Sequence, residues 1–210
     1  MAAFILAYFA SVKGSKSVLE LCSGSGTVSF WNYDRGFNGR TVMVDLRAEQ
    51  LLLAEKTADE NSFNVHTCCC DVSGFIGAER FDAVICNPPF FDEKNKSSDP
   101  DKNAVRHENG LDLHSLCYSA ARNIKQKGHF YICHLPERLP DIFQNLREAG
   151  FEPKQVRFCR HSPDRNPFIV LLDSVYKGGK RLTVLPDLYV YNNEGEYSDE
   201  MIEICERGFI

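Results

Sequence analysis

The stretch Phe81-Asp82-Ala83-Val84-Ile85-Cys86-Asn87-Pro88-Pro89-Phe90 joins an apolar run to a proline-stiffened turn. Its first six residues have the length and β-branched content of a buried strand. Two prolines cannot continue a sheet because proline has no N–H to donate, so the strand is predicted to end at Cys86. An amide side chain, stiff backbone carbonyls and an aromatic ring then lie at the carboxyl end of the strand. Open α/β sheets bind their ligands at this edge.

Strand and helix patterns alternate on both sides of this stretch, which predicts βαβ units around a parallel sheet. Strands are predicted over 17–21, 41–45, 65–70, 81–86 and 129–134, and helices from about residue 27 and over 47–61, 111–127 and 137–149. The polar stretch 92–107 has no apolar period and is predicted to be a mobile loop.

The alternation of strand and helix patterns stops after Gly150. Strands over 154–160 and 168–176 are separated by a connection too short for a helical crossover, so they are predicted to pair as an antiparallel hairpin. The expected architecture is a three-layer, Rossmann-like α/β fold. Its sheet is mostly parallel and seven-stranded, with the antiparallel hairpin at the C-terminal end.

Length and composition are those of an ordinary globular protein. The 210 residues predict one domain over 1–210, and 43% hydrophobic residues suffice for a substantial core. No apolar run reaches the roughly 18 residues needed to cross a membrane. The apolar opening, 1–9, has no basic leader and is interpreted as the buried face of a helix.

The nine cysteines are odd in number and form no CxxC pair, which favours free thiols in a reducing cytoplasm. The triplet Cys68-Cys69-Cys70 offers possible metal ligands. Small buried residues of a strand are the favoured interpretation, and no metal is expected.

Charge is unevenly distributed on a chain whose net charge is −5. Seven Lys/Arg and two Asp between Pro153 and Arg181 give a local balance of +5, and the residues from Leu182 onward carry −6. The net charge argues against a protein that coats nucleic acid nonspecifically. The basic band is compatible with binding a phosphate backbone and equally with a solvated surface.

A glycine turn follows the first strand in Val18-Leu19-Glu20-Leu21-Cys22-Ser23-Gly24-Ser25-Gly26. Gly24 and Gly26 allow a ligand to approach the backbone, and the following helix start presents unpaired N–H groups. The spacing matches the dinucleotide fingerprint only loosely, because its third glycine is missing. Glu20 would repel a pyrophosphate but suits the ammonium group of a sulfonium amino acid.

Two further acids end the next strands. Asp45 stands where an acid accepts hydrogen bonds from ribose hydroxyls, although it could instead cap the following helix. Asp71 is suited either to the amino group of an adenine ring or to capping a helix. Together with Glu20, these acids fit an adenosyl ligand that carries no phosphate.

The turn Asn87-Pro88-Pro89-Phe90 suits chemistry on a planar amine. An aromatic amino group is a poor nucleophile because its lone pair is shared with the ring. The side-chain oxygen of Asn87 and the carbonyl of Pro88 can accept its hydrogens, favour a pyramidal nitrogen and fix its position. Phe90 offers a surface on which a flipped base can stack. The alternative is a stiff loop with a buried aromatic ring.

The sequence resembles the small-domain methyltransferases with an (N/D)PP(Y/F) signature. More closely, it resembles the bacterial tRNA(Val) adenine-N(6) methyltransferases, which modify the anticodon-loop adenine beside the anticodon. The resemblance runs over nearly the whole chain and includes 20–26, 87–91, 106–108, 136–139, 177–180 and 191–197.

The resemblance implies a class I methyltransferase fold, S-adenosylmethionine as cofactor, tRNA as substrate, and a monomer without metal. It places the cofactor over Glu20, Cys22, Gly24, Gly26, Asp45, Asp71 and Asn87. Asn87 to Phe90 would grip the target adenine, and Arg106, His107, Arg157 and Arg160 would meet the tRNA.

This chain departs from the family at two places. Members carry an additional segment before the opening helix, including residues that close over the cofactor, whereas here 3–6 already stand inside that helix. The N-terminus is therefore expected to be short relative to the family, with an effect on cofactor affinity. Cys22 stands where a glycine is common, and a small thiol is expected to fit at some cost in backbone freedom.

Two alternatives remain open from the sequence. The same chemistry could act on another planar amine: a release-factor glutamine, a guanine of ribosomal RNA or an adenine of DNA. A noncatalytic RNA-binding relative is the second alternative, against which the intact Asn87 and Gly24 argue.

Overall fold

A computed structural model describes residues 1–89 and 111–206. The predicted loop over 92–107 lies outside the described residues. The strands are β1 Ser17–Leu21, β2 Arg40–Asp45, β3 Val65–Cys69, β4 Phe81–Cys86, β5 Ile124–His134, β6 Phe151–Arg160, β7 Pro167–Tyr176, β8 Thr183–Val184 and β9 Leu188–Tyr189. The α-helices are α1 Ala2–Phe9, α2 Thr27–Asp34, α3 Ala48–Asn61, α4 Leu113–Asn123, α5 Leu139–Glu148 and α6 Asp199–Glu206, and short 3-10 helices cover Val72–Gly74 and Pro136–Arg138.

The strands form one mixed sheet in the order β3-β2-β1-β4-β5-β7-β6-β8, with β9 also paired to β6. The five strands from β3 to β5 are mutually parallel. All five residues of the central strand β1 are buried, because helices cover both faces of a parallel sheet. The predicted α/β fold with a mostly parallel sheet is confirmed.

The C-terminal hairpin is also confirmed. β7 runs antiparallel to both β5 and β6. The sheet has two more strands than the seven predicted, because the short strands β8 and β9 pair with β6. They cover a sheet edge that would otherwise expose backbone hydrogen-bonding groups. A strand of two residues is too short to show a periodic pattern, so the sequence could not predict β8 and β9.

The predicted helix over 111–127 is too long. α4 ends at Asn123, whose side-chain Oδ1 accepts a hydrogen bond from the N–H of Gly77 at 2.7 Å and whose Nδ2 donates to the carbonyl of Phe75 at 3.0 Å. The next residue, Ile124, is fully buried and pairs with Phe81 in the sheet. Tertiary pairing therefore begins β5 at Ile124, before the expected stop at Gly128.

Side chains from alternate positions of the strands form a core on each face of the sheet. On one face Leu19, Val84 and Phe130 pack with residues of α4 and α5. On the other face Ile85 and Tyr131 pack with α1, α2 and α6. The opening apolar run is the buried helix that the sequence predicts, since Ile5, Leu6 and Ala7 are inaccessible to solvent. Within the described residues, no helix has the length and apolar character needed to cross a membrane.

Candidate active site

The parallel strands bring the glycine turn and the proline turn to one edge of the sheet. Leu21, near the end of β1, pairs with Val44 of β2 on one side and with Cys86 of β4 on the other. The glycine turn after β1 and the proline turn after β4 therefore leave the sheet side by side. This adjacency is the one that the sequence predicts from parallel strand ends.

The turn after β1 is built from left-handed backbone. Cys22, Gly24 and Gly26 have φ angles of 56°, 54° and 83°. A Cβ atom on Gly26 would lie 2.8 Å from the side chains of both Met43 and Phe30, which would have to shift, so glycine is strongly favoured there. Left-handed backbone at Cys22 is a conformation that glycine adopts more readily than cysteine. The turn ends with Gly26 as the N-cap of α2, which directs the helix start toward the site.

Glu20 is buried beneath this turn, only 1% exposed. Its Oε2 accepts hydrogen bonds from the backbone N–H of Ser29, at 3.2 Å, and from the Ser29 hydroxyl. Burial raises the pKa of Glu20 to about 7, although the hydrogen bonds from Ser29 oppose that rise. The carboxylate thus caps the first turn of α2 from β1. Its predicted contact with a ligand ammonium group stays a prediction.

Asp45 ties the glycine turn to β2. Its Oδ2 accepts a hydrogen bond from the N–H of Gly24 at 2.7 Å, and its Oδ1 accepts from the backbone N–H and Nε of Arg47, both at 3.0 Å. Burial acts to raise the pKa of Asp45, but these hydrogen bonds outweigh it and lower the pKa. Asp45 is therefore an ionised acceptor at the site edge, and its role toward a ribose stays a prediction.

Asp71 has the capping role that the sequence left open. Its Oδ1 accepts a hydrogen bond from the N–H of Ser73 at 2.7 Å, at the start of the short 3-10 helix. The side chain is exposed, and a role toward an adenine ring stays a prediction.

Asn87 follows the end of β4 and is held by a residue that the sequence analysis did not single out. The thiol of Cys133, on β5, donates a hydrogen bond to Oδ1 of Asn87 at 2.9 Å. Complete burial raises the pKa of Cys133 far above its ordinary value, so the thiol keeps its proton and remains a donor. Pro88 is buried beside it and Pro89 is exposed. The next residue, Phe90, lies outside the described part of the chain.

The two arginines predicted to meet tRNA are ion-paired with the C-terminal part of the chain. Nη1 and Nη2 of Arg157 donate to the two carboxylate oxygens of Glu200 at 2.6 and 2.7 Å, and the Arg157 side chain is 13% exposed. Nε of Arg160 donates to Oδ2 of Asp187 at 2.5 Å. The basic band therefore pairs with the acidic tail. A contact of these arginines with RNA stays a prediction, and the ion pairs count against it. Arg106 and His107 lie outside the described residues.

The cysteine triplet forms a thiol contact at the end of β3. The Sγ atoms of Cys68 and Cys70 are 3.5 Å apart, and the thiol of Cys69 points to the carbonyl of Leu46. Among residues 1–89 and 111–206 there is no group of three or more His, Cys, Asp or Glu that could hold a metal ion. All nine cysteines, which lie in these ranges, are free.

Comparison with known proteins identifies the family. A sequence profile described as the methyltransferase small domain matches residues 2–136, more than half of the chain. The chain belongs to the methyltransferase small domain family. Its relatives include proteins named tRNA1(Val) (adenine(37)-N6)-methyltransferase. The one from Shigella dysenteriae serotype 1 is 30% identical over 216 residues, covering 98% of this chain and 85% of the relative. The one from Dyadobacter fermentans is 25% identical over 203 residues, covering 94% and 83%.

Solved structures of methyltransferases share the fold. A predicted O-methyltransferase from Agrobacterium tumefaciens superposes with a TM-score of 0.78 at 16% identity, covering 98% of this chain and 96% of that one. The glycopeptide N-methyltransferase MtfA, solved with S-adenosylmethionine, gives a TM-score of 0.60 at 16% identity, covering 83% and 93%.

This member of the methyltransferase small domain family is an S-adenosylmethionine-dependent enzyme. The predicted resemblance, enzyme class and cofactor are confirmed. The site fits an adenosyl cofactor without phosphates, because carboxylates lie at or near the carboxyl ends of three neighbouring strands. Carboxylates repel phosphate but accept hydrogen bonds from amino and hydroxyl groups.

Sequence reasoning missed Cys133 and Ser29. The role of Cys133 depends on strand register, and that of Ser29 depends on the path of α2.

Proposed function

We propose that this methyltransferase modifies N6 of the anticodon-loop adenine beside the anticodon of tRNA(Val). The observation that carries the proposal is Asn87, whose side-chain oxygen is fixed by Cys133 at the end of β4, beside the glycine turn. The relatives named for adenine 37 of tRNA1(Val), which match nearly the whole chain, support the choice of base. A tRNA substrate also accords with a protein of the cytoplasm.

The residues divide the work between holding the cofactor and orienting the amine. The turn with Cys22, Gly24 and Gly26 would hold the cofactor, together with Glu20, Asp45 and Asp71. The bound cofactor supplies an electrophilic methyl group on a sulfonium. Hydrogen bonds from the adenine amino group to the Asn87 oxygen and the Pro88 carbonyl would localise the nitrogen lone pair and aim it at that methyl carbon.

The transfer balances without another reactant. With the cofactor bound, the N6 lone pair would form the new N–C bond as the methyl group leaves the sulfonium, and the electrons of the C–S bond would return to sulfur. The amino nitrogen then loses one proton to solvent. Asn87 remains a neutral acceptor throughout. Its neighbour Cys133 keeps its proton and is uncharged as well.

Nucleoside mass spectrometry tests the proposal directly. The purified enzyme is incubated with S-adenosylmethionine and a tRNA(Val) transcript, and with a matched transcript in which guanine replaces the adenine beside the anticodon. We expect N6-methyladenosine in the first transcript only. Equal methylation of both transcripts, or methylation only of release factor, ribosomal RNA or DNA, would reject the proposal. RNA binding without any methyl transfer would favour a noncatalytic relative.

A further inference from the structure

A cavity of about 500 Å³, open to solvent, lies at the surface between the β6–β7 turn and the segment that follows β9. Its lining consists of two residues of the turn and four of the segment: Ser162, Asp164, Tyr191, Asn192, Asn193 and Gly195. This volume is within the range of pockets that bind small organic groups. None of the six residues belongs to the site described above.

The cavity lies at the same edge of the sheet as Asn87. His134, the last residue of β5, pairs with Val170 of β7, and the preceding residue, Cys133, bonds to Asn87. β7 begins at Pro167, three residues before Val170, so the turn extends about 10 Å beyond the end of β5. β7 is only two strands from β4 in the sheet. A long substrate whose reacting group reaches Asn87 can therefore also reach the cavity.

The walls of the cavity are fixed by the protein itself. The rings of Tyr191 and Tyr197 stack with centroids 5.4 Å apart and planes 8° apart. Oδ1 of Asn192 accepts hydrogen bonds from the N–H groups of Glu194 and Glu196, at 2.9 and 3.0 Å, which closes the turn. The N–H of Tyr191 donates to the carbonyl of His161 at 2.8 Å and joins this segment to the hairpin. A preformed site of this kind loses little entropy when a ligand binds.

The lining chemistry fits a nucleobase better than a phosphate. Asp164 is a solvent-exposed acid, and its Oδ1 accepts a hydrogen bond from the Ser162 hydroxyl at 2.5 Å. The other polar side chains are amides and hydroxyls, and the six lining residues include no lysine or arginine. A carboxylate repels phosphate but accepts hydrogen bonds from amino and imino groups. An aromatic ring beside such acceptors is the arrangement with which proteins read unstacked bases of single-stranded RNA.

We propose that this cavity binds a nucleobase of the substrate RNA that lies near the target adenine, with its N–H groups directed to Asp164 and Asn193. The inference rests on the proposed function, because it requires an RNA substrate. It adds a second base-reading site, away from the reacting groups, which would help to select the RNA.

Charge-matched variants test the role of Asp164. Asp164→Asn removes one negative charge from the cavity lining. Glu196→Gln removes one from the segment that follows β9, at a residue outside the lining. Electrostatic repulsion alone would make both variants bind RNA more tightly. We expect Asp164→Asn to weaken binding of a tRNA(Val) transcript and to raise its KM about five- to tenfold, as for the loss of one hydrogen bond of typical strength at the protein surface. Glu196→Gln should not weaken binding.

A second matched pair tests the amide. Asn193→Ala should raise the KM for the transcript, whereas Glu194→Ala, at the neighbouring residue outside the lining, should not. Calorimetric titration with S-adenosylmethionine should give the wild-type affinity for all four variants, which shows that each is folded.

The outcomes separate the cavity from the proposed function. Wild-type binding and KM in Asp164→Asn and Asn193→Ala would overturn the cavity proposal while leaving tRNA methylation intact. A wild-type enzyme that binds the transcript but does not methylate it would overturn the proposed function, and filter binding by the variants would still decide the role of the cavity. No binding of the transcript by the wild type would overturn both.

Discussion

The Sγ atom of Cys133 lies 2.9 Å from Oδ1 of Asn87, and the thiol donates a hydrogen bond to that oxygen. The amide of asparagine looks nearly the same after a half-turn, so a fixed donor is needed to decide which end carries the oxygen. Cys133 supplies that donor from β5, the strand next to β4. The oxygen keeps a second lone pair for the hydrogen of a substrate amine.

We expect Cys133→Ala to lower kcat about tenfold, because the amide of Asn87 loses its fixed orientation. The affinity for S-adenosylmethionine should stay unchanged. Cys133→Ser, which keeps a donor, should recover most of the rate. Single-turnover methylation measures the effect. An equal loss of rate in the alanine and serine variants would show that Cys133 acts through packing alone.

Asn87→Ala should abolish turnover while leaving cofactor affinity nearly unchanged, because the side-chain oxygen is assigned to the amine and not to the cofactor. Calorimetry with S-adenosylmethionine and a methyl-transfer assay on tRNA measure the two properties separately. Loss of cofactor binding in this variant would contradict the assigned role.

The buried carboxyl of Glu20 should make stability depend on pH. Its pKa is about 7 in the folded protein, above the ordinary value of 4.5, so the folded state favours the protonated form. The contribution to stability is complete below the ordinary pKa and is lost as pH rises through about 7. A shift of this size corresponds to about 3 kcal/mol.

Denaturant unfolding of the wild type and of Glu20→Gln, at pH values from about 5 to about 8, measures this contribution. We expect the glutamine variant to become more stable relative to the wild type as pH rises. Parallel curves for the two proteins would show that Glu20 ionises normally in the folded state.

The ion pair between Arg157 and Glu200 should anchor α6 to the hairpin. We expect Arg157→Ala and Glu200→Gln each to lower the free energy of unfolding by about 1–3 kcal/mol, because each leaves a partly buried partner without its counter-charge. Neither should change the salt dependence of RNA binding.

Glu200→Gln also decides between this anchoring role and the tRNA contact predicted from the sequence. If Arg157 contacts RNA, releasing it from Glu200 should tighten binding, and Arg157→Ala should weaken binding and reduce its salt dependence. Filter binding over a series of salt concentrations measures both effects.

Two glycines of the turn after β1 differ in the space around them. A Cβ on Gly26 would lie 2.8 Å from Met43 and Phe30, whereas one on Gly24 would lie 3.4 Å from Nη2 of Arg47, the end of a flexible side chain. Both glycines have positive φ, so an alanine at either position would suffer a similar backbone strain. Gly26→Ala should therefore cost about 1–3 kcal/mol more stability than Gly24→Ala. Equal unfolding free energies of the two variants would show that the turn relaxes.

The order of strands and helices and the position of the site edge could be predicted because they follow from local patterns. The prolines that follow Asn87 show where the apolar strand must end. The carboxyl ends of parallel strands must then lie at one edge of the sheet. The contact between Cys133 and Asn87 could not be predicted, because it depends on the register of β4 against β5, which shifts between Phe81 and Ala83.

Charge illustrates the same limit. The sequence shows a basic band followed by an acidic tail, but it does not show that the two neutralise each other. Arg157 and Glu200 are 43 residues apart, and only the path of the tail beside β6 brings them together. The end of α4 was missed for a similar reason, since the sheet begins at the buried Ile124 before the helical pattern runs out.

The chain after Arg181 pairs with the edge strand β6 and also supplies four of the six residues that line the cavity. Removing this segment would leave β6 as an exposed edge strand to which other copies can add, and it would also remove most of the cavity lining. Mutations in this region therefore need a solubility measurement alongside any activity assay.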